Sequence, residues 1–208
     1  MDYLASSSSA LCSSDCGCRQ HTEKIRNRRV DNVKKIMKLL AVLFTAGFMI
    51  FTIIYRITEK DILLSLAITF GTCSYHFLMR LIVGCGINAV YHNRMDYHKK
   101  WFQPKTWESG VYKKLKVKNW KEKMPTYDVD TFSFELHSME EIVMAMCQSE
   151  VVHEAIVVLS FIPVSFSIRF ASFGVFLVTS ILAAIFDMMF VIMQRYNRPR
   201  LVRILKKL

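Results

Sequence analysis

Polar and apolar positions are not interleaved along this chain; they fall into blocks. From Leu39 to Tyr55 no residue carries a formal charge, and from Ile62 to Met79 only His76 titrates near neutrality. Each block is about as long as one bilayer crossing, which needs roughly 20 apolar residues. A third block runs from Val151 to Gln194, where His153, Glu154, Arg169 and Asp187 alone can bear charge. As a single helix it would reach roughly 65 Å at 1.5 Å per residue, twice the hydrocarbon thickness. It must therefore fold back, and Ser165 to Phe173 is the expected corner, with Arg169 reaching the interface. The pattern predicts four transmembrane helices.

Between the second and third crossings lies a basic stretch in which aromatics alternate with lysines, from Trp107 to Pro125. That composition suits the headgroup level, where Trp and Tyr keep one wet edge and Lys meets lipid phosphate. Leu115, Val117 and Asn119 alternate with lysines as a short strand would. Ser138-Met-Glu-Glu141 has the form of a capping box, so a helix is expected to start there and run into the third crossing. The predicted fold class is an all-α integral membrane protein with a cytoplasmic basic amphipathic segment between its two hairpins. Its parts are a flexible basic N-terminus (1–35), a first hairpin (36–91), an interfacial segment (92–138), an interfacial helix with the second hairpin (139–194), and a basic tail (195–208).

Charge sharpens this picture. The 208 residues hold 28 Lys+Arg against 17 Asp+Glu, a net charge of +11, yet 52% of the chain is apolar. Nucleic acid or an anionic membrane would each suit a basic chain, but the basic residues flank the apolar blocks instead of covering a soluble face, so nucleic-acid binding is disfavoured. Lys and Arg crowd the N-terminus, the central segment and the tail, while the link between the first two crossings holds only Arg56 and Lys60. The positive-inside rule then places both termini and the central segment in the cytoplasm. Cys12, Cys16 and Cys18 match no closed four-ligand metal site and imply no disulfide framework. No metal is expected. Neither a Gly-rich phosphate loop nor a G-x-S-x-G elbow is present.

Two constellations can carry chemistry. Glu150, His153 and Glu154 share a helical face where the third crossing begins, and a carboxylate beside an imidazole is a base with its orienting partner. Anchoring of the helix at the interface would collect the same residues. The heptapeptide Gln194-Arg-Tyr-Asn-Arg-Pro-Arg200 stands at the exit of the fourth crossing. An antiparallel pair of crossings brings His153 and Asn197 to one leaflet, where Asn197 can donate to an oxyanion and Arg198 and Arg200 can grip an anion. His92 and Asp96 miss the familiar acyltransferase His-Asp spacing by one residue. Asp187 is expected to face other helices or water, as a carboxylate facing lipid is costly.

The ending Gln194-Arg-Tyr-Asn-Arg-Pro-Arg-Leu201, followed by Arg203-Ile-Leu-Lys-Lys207, closely resembles that of the bacterial glycosyl-4,4'-diaponeurosporenoate acyltransferase family, which completes staphyloxanthin-type carotenoids. The resemblance extends back through Ile162-Pro163, Glu150-Val-Val-His153, Lys118-Asn-Trp-Lys121 and Glu108-Ser-Gly-Val-Tyr112, over roughly the last 130 residues. It implies a membrane O-acyltransferase that moves a fatty acyl group from a thioester donor, acyl-CoA or acyl carrier protein, to a sugar hydroxyl of a lipid-like acceptor. No tightly bound cofactor is implied. Carried over position by position, Glu150, His153, Asn197 and Arg198 are the candidate catalytic residues, with His153 as base, Glu150 orienting it, and Asn197 or Arg198 steadying the oxyanion. Lys118, Trp120, Lys121, Arg195 and Arg200 are the candidate substrate-binding residues. The implied location is a bacterial cell membrane, with membrane lipids and the acceptor as partners. A non-catalytic protein that binds lipid, pigment or a partner at the same basic pocket is the alternative.

Overall fold

The computed structural model describes residues 35–120, 130–170 and 173–207, without the side chains of residues 130, 169 and 170. The described residues are helical and contain no strand. Four helices are long and apolar enough to cross a membrane: α1 (Lys35–Thr58), α2 (Asp61–Tyr91), the span Met139–Ser165, and the span Phe173–Leu205. Between the second and third lies α3 (Glu108–Lys114), with short 3-10 turns at Lys100–Phe102, Val117–Trp120 and Asp130–Phe132. The third span is α4 (Met139–Leu159) followed by α5 (Ile162–Ser165); α6 (Ser167–Phe170) leads to α7 (Phe173–Leu205).

Local chemistry accounts for these boundaries. α4 starts at the expected capping box: Glu141 N–H donates to Ser138 Oγ at 3.3 Å, and the Ser138 N–H donates to Glu141 Oε2 at 2.8 Å. α4 stops short of Pro163, which sits in the first turn of α5, where its missing N–H costs nothing. The alternation around Leu115 and Val117 forms no strand, because Lys116 has a positive φ of 50° and the chain turns there into a 3-10 helix. The helix that carries the fourth span does not end at Gln194. α7 continues through Pro199 to Leu205, so Arg195, Asn197, Arg198 and Arg200 all stand on a helix about 50 Å long that overshoots the bilayer.

Side-chain bonds set the packing directions. Gln194 Nε2 donates to Ser149 Oγ at 3.3 Å, and His153 Nδ1 lies 2.9 Å from Asp187 Oδ1, so numbers rise on α4 as they fall on α7. The two helices are antiparallel, as expected. Tyr75 donates to the Leu159 carbonyl oxygen at 2.8 Å at one end of the α2–α4 contact. At the other end Gln148 Nε2 donates to Asn88 Oδ1 at 3.0 Å and to Asn93 Oδ1 at 2.8 Å. With lipid as apolar as leucine, such polar cross-links and close packing hold the bundle, each bond contributing about 0.6 kcal/mol. Outward positions such as Val42, Ile53, Val158 and Leu182 are exposed, as a lipid-facing surface requires. Below the bundle a small core of Met95, Phe102 and Cys147 seats the loop that follows α2 against α4.

Candidate functional site

Charged side chains collect in two buried layers where α4 and α7 meet. In the deeper layer Asp187 of α7 is fully buried, and its two oxygens face different partners. Oδ1 lies 2.9 Å from His153 Nδ1, and Oδ2 accepts from Arg80 of α2. The His153 ring stacks on Phe190, 4.6 Å between centroids and 8° from parallel, and its side chain is 22% exposed. With Nδ1 turned to Asp187, the other ring nitrogen is the one available to a ligand.

The second layer lies one turn closer to the basic segment. Glu150 is fully buried and accepts from Arg195 Nη1 at 2.6 Å and from Arg198 Nη1. Arg195 also donates through Nη2 to Glu108 Oε1 at 2.6 Å, and Arg198 Nη2 donates to the Phe102 carbonyl oxygen at 2.6 Å. Tyr112 donates to the other Glu108 oxygen at 2.8 Å. Burial, and then the carboxylate it bonds, push the Tyr112 phenol above its ordinary pKa. Two carboxylates from different elements are thus shared between two arginines one helical turn apart. This layer clamps α3 and the Trp101–Phe102 backbone onto the hairpin.

The geometry reassigns several expected roles. Glu150 does not face His153; it faces the arginines, and Asp187 is the carboxylate at the imidazole. A spacing of three on a helix puts two side chains on one side, but 60° of rotation still separates them, enough to send Glu150 and His153 to different layers. Arg198 is 2% exposed and committed to Glu150 and Phe102, and Arg195 is committed to Glu108 and Glu150. Asn197 is half-buried without a side-chain hydrogen bond among the described residues. It lies seven residues beyond Phe190, about 10 Å of helix rise from the His153 ring's stacking partner, so His153 and Asn197 are not brought together. Glu154 accepts from Trp101 Nε1 at 2.9 Å, beside an open cavity of about 320 Å³ lined by Tyr91, Met95, Lys99 and Phe102. His92 caps α2 and Asp96 accepts from the His98 backbone, so they form no dyad.

Lys118 and Arg200 line one cleft. Together with Lys113, Lys116, Tyr112 and Tyr196 they line an open cleft of about 440 Å³ whose wall, among the described residues, has four cations and no carboxylate. Arg200 lies over the Tyr196 ring, 4.0 Å from its centroid, and donates to the Tyr196 hydroxyl at 2.5 Å. Trp120 ends the 3-10 turn beside this cleft, half-buried, while Lys121 and the Cys12, Cys16 and Cys18 cluster lie outside the described residues. Among the described residues, no three His, Cys, Asp or Glu side chains gather as metal ligands would. Sequence reasoning missed Arg80 and Glu108. A signal existed for the first: Arg80 and Asp187 are opposite charges inside apolar spans, and such charges pair.

Residues 98–207, more than half of the chain, match the family model described as glycosyl-4,4'-diaponeurosporenoate acyltransferase. The chain belongs to that family. Membership makes it an acyltransferase of the carotenoid-biosynthesis class, transferring groups other than amino-acyl groups and drawing on an acyl donor. No curated protein and no solved structure matches the chain. The acyltransferase match contains α3, α4 and α7 with His153, Asp187, Glu150, Glu108 and both clamping arginines. It begins nearer the C-terminus than the resemblance suggested and leaves out α1, α2 and Arg80.

Proposed function

We propose that this acyltransferase transfers a fatty acyl group from a thioester donor to a hydroxyl, that of a sugar on a lipid-like acceptor, at the cytoplasmic face of a bacterial cell membrane. Asp187 holds the His153 ring, and the second ring nitrogen takes the proton of the acceptor hydroxyl as its oxygen attacks the thioester carbonyl carbon. The tetrahedral intermediate collapses, the carbon–sulfur bond breaks, and the imidazolium returns the proton to the departing thiolate. Ester and thiol are the products, and atoms and charge balance without a metal or redox partner. The basic cleft of Lys113, Lys116, Lys118 and Arg200 holds the phosphate-bearing carrier of the donor, whether coenzyme A or acyl carrier protein. Both termini face the cytoplasm, in keeping with the Lys and Arg excess in the segments outside the spans.

The observation that carries this reading is the 2.9 Å contact between His153 Nδ1 and a carboxylate with no exposure to solvent. The same pairing orients the base in acyl-transfer triads. Glu150, Arg195 and Arg198 act at a distance in this reading, holding the loop and α3 in place.

The test is acyl transfer by the detergent-purified chain with a glycolipid acceptor and acyl-CoA or acyl carrier protein. His153→Ala loses about 10²- to 10⁴-fold in kcat if the ring is the base. A loss under about tenfold removes it from that role.

A further inference from the structure

The carboxylate beside the base has a second claimant. Asp187 Oδ2 accepts from Arg80, which α2 holds in place by donating Nη1 to the His76 carbonyl oxygen at 3.0 Å, while Nη2 also lies 3.4 Å from the Ala183 carbonyl oxygen. A guanidinium is charged at any pH a protein meets, whereas an imidazole changes charge within the physiological range. A carboxylate shut away from water favours a cation beside it. Were His153 its only partner, the carboxylate would draw the ring toward its protonated form, and a protonated ring cannot accept the acceptor hydroxyl's proton. Arg80 already supplies that countercharge.

The other titratable groups around the ring do not compete for the role. On α4, Glu150 is committed to Arg195 and Arg198, and Glu154 to Trp101. From Phe173 to Gln194 of α7 only Asp187 is charged. On α2, buried His76 lies one turn before Arg80, its ring nitrogens without partners among the described residues.

We propose that Arg80 is a positioning residue that sets the protonation state of His153. By countering the Asp187 charge it lets that carboxylate accept Nδ1–H from the imidazole, with Nε2 open. The inference rests on His153 as the base and adds α2, outside the family match, to the working site.

The experiment is a titration of isotope-labelled histidine followed by NMR on the full chain in detergent, with the His153 signal assigned from His153→Ala. The pH profile of kcat/KM is measured beside it. In Arg80→Gln the half-protonation point of His153 rises by about one unit or more, and the acid limb of kcat/KM rises with it. Arg80→Lys, which keeps the charge, restores both. Should Arg80→Gln fail to fold, Arg80→Met keeps the packing stem and takes the same titration. An unmoved His153 midpoint in either folded variant overturns the inference, as does a His153 ring found protonated at pH 7.5 in the wild type. If the midpoint moves while His153→Ala still transfers acyl groups, the charge relationship stands and the assignment of the base falls.

Discussion

Arg198 on α7 serves two elements at once: Nη1 donates to the buried Glu150 carboxylate of α4, and Nη2 donates to the Phe102 carbonyl oxygen at 2.6 Å. Its guanidinium also lies 5.0 Å from the centroid of the Phe102 ring. The loop after α2 is thereby tied to the hairpin through one side chain.

Arg198→Ala leaves Glu150 with Arg195 alone and the Phe102 carbonyl oxygen without its donor, so it is expected to destabilise the protein by about 1–3 kcal/mol. Thermal unfolding in detergent checks this. Arg200→Ala, at an exposed position, costs less than about 1 kcal/mol. Equal losses for Arg198→Ala and Arg200→Ala would contradict the clamp.

Asp187→Asn keeps the shape of the side chain but replaces an acceptor with an amide that can face His153 Nδ1 with its NH₂. The ring then adopts the other tautomer and loses the lone pair that the acceptor hydroxyl needs. By the precedent of triad enzymes, kcat falls about 10³- to 10⁴-fold, with a smaller change in the KM for donor. Steady-state kinetics on folded material checks the split. A variant within tenfold of wild type would show that Asp187 serves packing alone.

The four spans were legible because a crossing needs little more than about 20 apolar residues, and Leu39–Tyr55 and Ile62–Met79 satisfy that without tertiary information. The α4 start was legible because a capping box is complete within four residues. The partner of His153 was not. Glu150 is three residues away and Asp187 thirty-four, and sequence spacing favours the near carboxylate. Only the antiparallel register of α4 and α7 shows that the near one is engaged with Arg195 and Arg198. Arg80 was hidden for the same reason, since its role exists only once α2 lies against α7. Lys118 and Arg200 were found by residue type and resemblance, and their place in one cleft depends on α7 continuing through Pro199.

The cleft predicts a binding defect distinct from a catalytic one. Lys113, Lys116 and Lys118 are exposed, and charges at such positions contribute about 0.5–1 kcal/mol each to holding an anion. The triple alanine variant is expected to raise the KM for a phosphate-bearing donor by about ten- to a hundredfold, with kcat within about threefold. The wild-type KM should climb with added salt, and the variant's should respond less. A triple variant whose kcat falls while KM holds would place these lysines elsewhere in the reaction.

The contact of α1 with α2 separates anchoring from chemistry. Each helix offers a glycine to a phenylalanine of the other. A Cβ at Gly47 would overlap the Phe70 ring, and one at Gly71 would lie 2.9 Å from Phe48 Cδ2. Thr45 and Ser74 share a hydrogen bond of 2.6 Å beside them. Gly47→Val therefore overpacks this contact at about 1–3 kcal/mol and pushes α1 away. Disulfide formation between Thr45→Cys and Ser74→Cys, in a background free of other cysteines, should drop sharply when Gly47→Val is added. Acyl transfer should change by less than about threefold, since the His153, Asp187 and Arg80 contacts come from α4, α7 and α2. Loss of transfer in step with the cross-link would instead make α1 part of the working enzyme.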